Sequence, residues 1–307
     1  MLALFTILID IILPVFIIMM IGYFIQKKFQ LDLQTLSKIN IYFVVPGFIF
    51  VKLYSTDFAL GLLGKTLLFF ILYVFLLFVV AFLVGKVLKL GKAKQTTFSN
   101  SLVFFNSGNY GLPVNDLVFK SDPFAMSIQV IVLTLQNMFL FSYGIFALQS
   151  VKIGKLKAML AYFRMPVLYA LLAGLGLNAL NIGIPDFIWV PANYIADSMI
   201  AIALITLGAQ VAQFKFQLGN LSVYVSMCVR LIIGPMMALG IIYLMGVEGT
   251  TAQALFIASA MPTSLNSAVI AQEYKSHPDF AAQIVLFSTI FSSITVTLVI
   301  YFAQLLF

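Results

Sequence analysis

The sequence predicts an all-α integral membrane protein: ten transmembrane helices, arranged as two inverted five-helix repeats, with helices four and nine broken. Three observations carry this. Of 307 residues, 63% are hydrophobic and 9% charged, where a soluble domain carries about 25% charged residues. Ten runs are long and apolar enough to cross a bilayer. Landmarks of the first half recur in the second at one displacement.

So little polar side chain cannot coat a water-soluble globule, which excludes a cytosolic enzyme, a secreted domain and a nucleic-acid-binding protein. The net charge of +7 is read as loop lysines facing an anionic leaflet. The lone Cys228 excludes a disulfide framework, and His277, the one histidine, excludes a multi-histidine metal site. No cofactor is expected. No Walker motif is present, so this chain alone is no primary pump.

A membrane helix needs about 20 apolar residues. The runs are 4–26, 36–55, 65–89, 96–119, 125–149, 162–181, 192–213, 219–245, 252–273 and 281–305. Leu67 to Leu83 is continuously apolar, unlike the alternation of a barrel strand. The first run lacks a basic start and is long, so it reads as a span and not a cleaved leader. With these spans, Lys27, Lys28, Lys38, Lys86, Lys89, Lys92, Lys94, Lys152, Lys155, Lys157, Arg164, Lys215 and Lys275 share one side. Lys52, Lys65 and Lys120 lie on the other. The rich side is assigned to the cytoplasm, which places both termini outside a multi-pass protein of the plasma membrane.

Leu13-Pro14-Val15-Phe16 with Gly22 is echoed 152 residues later by Met165-Pro166-Val167-Leu168 with Gly174. Thr96-Thr97 recurs as Thr250-Thr251, 154 residues on. The expected division is residues 1–150 as the first repeat, 151–161 as a cytoplasmic connecting loop, and 162–307 as the second repeat. Five helices is an odd number, so the second copy enters from the opposite face, an architecture of secondary transporters.

The fourth run contains Asn106-Ser107-Gly108-Asn109-Tyr110-Gly111-Leu112-Pro113. Pro113 lacks an amide donor and clashes with the preceding turn; the two glycines weaken the helix further. The ninth run contains Met261-Pro262-Thr263-Ser264-Leu265-Asn266-Ser267. Matching interruptions in two repeats point to a transport site, because half-helix ends offer unpaired N–H groups and a partial positive charge to anions. The alternative is a pair of packing kinks.

The run Asn106-x-Gly108-x-x-Gly111-x-Pro113, and Met261-Pro262 through Asn266, Ala271 and Tyr274, resemble the auxin efflux carrier family. Leu207-Gly208-Ala209 and Ser288-Thr289 with Ser292 are similar to it too. The resemblance implies a fold like that of the bile-acid/sodium symporters, with a scaffold and a mobile transport domain, and helices four and nine crossing near Pro113 and Pro262. It implies a site lined by Asn106, Asn109 and Asn266. Its bacterial members include malate and malonate permeases, and its plant members export indole-acetic acid. Asn109 departs from the family, where a hydrophobic residue is commoner.

Substrate-binding residues are therefore expected among Asn106, Gly108, Asn109, Gly111, Pro113, Pro262, Thr263, Ser264 and Asn266. Gln136 and Asn137, mid-way along the fifth run, either join this site or form an interhelical hydrogen bond. Arg230, about 16 Å into its span at the helical rise, either attracts the anion, pairs with Asp197 or Asp116, or snorkels or bonds to backbone carbonyls. Asp10, Asp116 and Asp197 read as interfacial, His277 as a loop residue, and Gly208 with Gln210 and Pro46-Gly47 as close-packing positions. The expected function is a secondary carrier moving a small organic anion, a carboxylate or an auxin-like acid, by alternating access. The alternatives are an ion channel or a uniporter for a neutral solute. The expected partners are the solute, the lipid bilayer and a second copy in a homodimer. Sodium coupling, proton coupling and uniport stay open.

Overall fold

A computed structural model describes residues 2–55, 60–120, 122–140, 143, 166–214, 216–273 and 275–307. The expected connecting loop, Met165, Tyr274, Lys215 and the end of the fifth run lie outside them. Twelve helical segments are described: α1 Leu2–Phe29, α2 Leu33–Tyr54, α3 Leu60–Val87, α4 Lys92–Val103, α5 Gly111–Phe119 and α6 Pro123–Phe139. They continue with α7 Pro166–Ala179, α8 Asp186–Val211, α9 Leu221–Leu244, α10 Gly249–Ser259, α11 Leu265–Glu273 and α12 Pro278–Leu306. Among the described residues the only β-type pairing is one isolated bridge, Phe105 with Thr263.

Six of the helices, α1, α2, α3, α8, α9 and α12, are long and apolar enough to cross a membrane unbroken. The expected fourth and ninth spans are instead split, as α4/α5 and α10/α11. The fifth and sixth are described as the shorter apolar helices α6 and α7. Large side chains such as Phe75 and Leu83 on α3 are exposed. On a chain this apolar, such a surface faces hydrocarbon and not water.

Three spans carry a wide π-helical turn just ahead of a proline: Leu8–Ile12 before Pro14, Asn40–Val44 before Pro46, and Val229–Ile233 before Pro235. A proline offers no N–H to the preceding turn and crowds its carbonyl. A wider turn absorbs both defects without ending the helix. Helix starts are capped by short polar side chains. Asp32 accepts from Gln34 N at 3.0 Å and Thr35 Oγ1 at 2.6 Å, and these bonds hold its carboxyl below the usual range. Asp122 and Asn220 cap α6 and α9 in the same way.

The helices form two groups. In the first, α8 packs on α1 and α2, and α7 packs on α2. Backbones meet directly there: a Cβ on Gly22 would strike the Ile205 carbonyl, and one on Gly208 would strike the Met19 carbonyl. The close-packing role expected of Gly208 has this physical form. Gly208→Ala should cost about 1–3 kcal/mol by overpacking, measured as a fall in the unfolding temperature of the purified protein. The second group, α3 to α6 with α9 to α12, surrounds the two helix interruptions.

Candidate substrate site

Inside a bilayer every freed backbone group needs a partner, so the interruptions are best described by where their hydrogen bonds go. The two breaks satisfy each other first. Asn106 N donates to Pro262 O at 2.8 Å, and Ser264 N donates to Phe104 O at 2.7 Å. Thr263 Oγ1 donates to Ser101 O at 2.9 Å. The neighbouring helices supply the rest. From α6, Gln136 Nε2 donates to Val103 O at 3.1 Å and Gln129 Nε2 to Ser107 O at 2.7 Å. Asn115 Nδ2 holds Gln129 in place through Gln129 Oε1 at 2.9 Å. From α12, Ser288 Oγ accepts from Thr263 N at 3.1 Å.

Arg230 completes the set. It is fully buried, with Nη1 on Leu102 O at 3.0 Å, Nε on Met261 O at 3.0 Å, and Nη2 on both Ser259 O and Tyr73 Oη. Its guanidinium lies over the Phe105 ring, 4.8 Å from the centroid. Arg230 was expected among the anion-binding residues. It does not line the cavity described next, and its donors are spent on main-chain carbonyls at the C-terminal ends of α4 and α10.

A cavity of about 160 Å³ lies where the first helix group faces the breaks. Of the expected site residues, Asn106, Gly108, Asn109, Gln136, Asn137, Ser264 and Asn266 line it. Gly111, Pro113, Pro262 and Thr263 do not; they shape the breaks behind it. A Cβ on Gly111 would press on Gln129 Nε2 and Met261. The opposite wall is Ser37, Asn40, Ile41 and Val45 from α2, Val167 from α7, and Thr206 and Gln210 from α8. Ser37, Asn40 and Thr206 escaped sequence reasoning. The one available signal for Asn40 was an amide four residues inside an apolar span.

The wall is neutral: none of its described residues carries a charge. It is nevertheless rich in unsatisfied polar atoms. Among the described residues, Asn40 Oδ1, Asn106 Nδ2, Ser107 Oγ, Gln136 Oε1, Thr206 Oγ1 and Gln210 Oε1 are buried without a partner, and all six residues line the cavity. The Gly108 and Asn109 amides, just before α5, also find no acceptor among the described residues. Unpaired buried polar groups cost about 1–3 kcal/mol each. Their concentration in the residues around one cavity gives its wall polar groups that a solute can engage once they turn toward it.

A multi-span helical protein whose interrupted helices meet beside a buried polar cavity has the build of a membrane solute transporter. Comparison with known proteins gives the family: the chain belongs to the family described as membrane transport protein, the auxin efflux carrier family, which matches residues 7–300. It is 26% identical over 296 residues to an uncharacterized transporter of Methanothermobacter thermautotrophicus, covering 94% of this chain and 95% of that one. It is 24% identical over 314 residues to an uncharacterized transporter of Methanocaldococcus jannaschii, covering 94% and 96%. A 144-residue stretch is 29% identical to auxin efflux carrier component 6 of Arabidopsis thaliana, covering 45% of this chain and 25% of that one. The protein is thus a multi-pass membrane transporter with a small-molecule substrate.

Proposed function

We propose that the protein is a secondary carrier of a small organic anion in the plasma membrane, working by alternating access with both termini outside. The observation that carries the reading is the 160 Å³ cavity with its cluster of unpaired buried polar atoms. A carboxylate there would draw on Asn106 Nδ2 and the Ser107 and Thr206 hydroxyls, once these turn toward it, and on the Gly108 and Asn109 amides in the turn ahead of α5. A half-helix N-terminus suits an anion by its dipole; the first amides of α5 itself are taken, Gly111 N by Asn106 O and Leu112 N by Gly108 O.

The size of the cavity narrows the solute. A volume of about 150 Å³ holds a molecule the size of benzene. A three- to five-carbon mono- or dicarboxylate suits such a space better than an indole acid does. The neutral lining favours one second reading, a small uncharged polar solute.

Ten spans in two inverted repeats remain the arrangement that accounts best for the helices. The half-helices match in length: α4 and α5 have 12 and 9 residues, α10 and α11 have 11 and 9. Gly22 of α1 seats on α8, while its sequence counterpart Gly174 seats on Phe50 and Leu53 of α2. In a ten-span count α2 and α8 are themselves counterparts, the second and seventh spans. On this reading α1, α2, α7 and α8 are the scaffold, the remaining helices move against it, and the cavity lies on the seam. A homodimer would form through scaffold faces.

The test is binding and uptake with the purified, reconstituted chain, using malonate, L-malate, indole-3-acetate and glycerol, each with and without sodium. A stability shift and uptake with malonate or malate are expected, with neither for indole-3-acetate, since a ligand selective for the folded state raises apparent stability. Uptake of glycerol alone would establish the neutral-solute reading. Tight binding of indole-3-acetate would overturn the size argument.

A further inference from the structure

Asn40 and Asn109 meet across the cavity. Asn40 Nδ2 donates to Asn109 Oδ1 at 3.0 Å. Asn40 belongs to α2 in the first helix group, and Asn109 belongs to the break between α4 and α5 in the second. Their bond therefore ties the two groups together at the cavity wall. Asn40 also opens the wide π-helical turn Asn40–Val44, a local distortion that often accompanies function.

The two amides are not equivalent. Asn40 is 3% exposed, with Oδ1 unpartnered, so its carboxamide is poorly hydrated. Asn109 is only half-buried, and its oxygen can turn to solvent if released. A carboxylate is the stronger acceptor: a hydrogen bond to an ionised group is about twice as strong as one between neutral groups. A carboxylate entering the cavity thus competes with Asn109 Oδ1 for the Asn40 donor and wins. Asn109 loses little in the exchange, and the direct tie between the two helix groups is replaced by one that runs through the solute.

We propose that Asn40 and Asn109 are an exchangeable pair, in which the substrate carboxylate takes the Asn40 N–H from Asn109 and so replaces the direct contact between the helix groups by one through the solute. This rests on the carrier reading above and adds to it a specificity residue, Asn40, with a competing internal acceptor, Asn109.

The exchange makes opposite predictions for the two partners, read as malonate or L-malate affinity of the purified full chain. Asn40→Asp keeps the shape and replaces the donor by an anionic oxygen; affinity falls more than about tenfold, as expected for losing a bond to a charged group. Asn109→Ala removes the competitor; affinity rises by about 2- to 10-fold, the worth of one neutral hydrogen bond. Unfolding temperatures identify any variant that fails to fold, and Asn109→Ala alone then decides the matter. Weaker binding in Asn109→Ala, or unchanged binding in a folded Asn40→Asp, overturns the exchange. Asn106→Leu separates the two levels. If it weakens binding while a folded Asn40→Asp leaves binding unchanged, the exchange falls and the carrier reading stands. If the unmodified chain binds neither acid, both fall.

Discussion

Asn106→Leu is expected to lower substrate affinity and uptake by about 10- to 100-fold while leaving the unfolding temperature unchanged or raised. The combination is unusual, and it follows from the bonding of one residue. The structural work of Asn106 is done by its backbone, whose N–H joins the two breaks through Pro262 O. Its side chain is 4% exposed and Nδ2 has no partner. A leucine of the same branching, though bulkier, keeps the backbone bond and removes an unsatisfied buried donor, which relieves about 1–3 kcal/mol of desolvation cost. The same change deletes a donor worth about 1.5–3 kcal/mol to a charged acceptor, and about 1.4 kcal/mol is tenfold in affinity. Asn115→Leu is the control: Asn115 Nδ2 is engaged by Gly111 O and Gln129 Oε1, so there stability falls as well. A stability loss in Asn106→Leu equal to that in Asn115→Leu would show Asn106 to be architectural.

Sequence reading reached the helical class, the positions of the six long spans, the two interruptions and a third of the residues around the cavity, because each rests on local chemistry. Apolar runs need no context to be recognised in lipid, and proline, glycine and paired asparagines break a helix wherever they stand. The opposite wall was out of reach. Ser37, Asn40 and Thr206 are single polar residues in otherwise apolar helices, and only the packing of α2 and α8 against the breaks turns them toward one cavity. Gln129 was missed for a related reason: its partner, Ser107 O, is 22 residues away in sequence. The role of Arg230 could be stated as one of several alternatives and no further, since spacing alone does not say whether a buried cation finds a carboxylate, a solute or a carbonyl.

Arg230→Met is expected to destabilise the protein by about 4 kcal/mol and to abolish transport together with folding yield. The guanidinium faces the C-terminal ends of α4 and α10, where Leu102 O, Ser259 O and Met261 O have left the helical ladder. Each helix end carries a partial charge of about −0.5, so two of them together balance one cation. That balance explains how an arginine can be fully buried with no carboxylate among its described partners, even though burying an isolated ion is prohibitive. Removing it leaves Leu102 O and Met261 O without donors, at about 1–3 kcal/mol each, and sets two like helix poles against each other. Arg230→Lys should recover only part of the loss, because a single ammonium cannot present a planar fork to carbonyls on two helices. Tyr73→Phe should cost less, about 1–2 kcal/mol, since it removes one acceptor for Nη2 and one donor to Ser259 O, at 2.9 and 2.8 Å. Thermal unfolding of the three variants in one detergent checks the order. A Tyr73→Phe loss exceeding that of Arg230→Met would mean that the tyrosine, and not the cation, holds the two half-helices together.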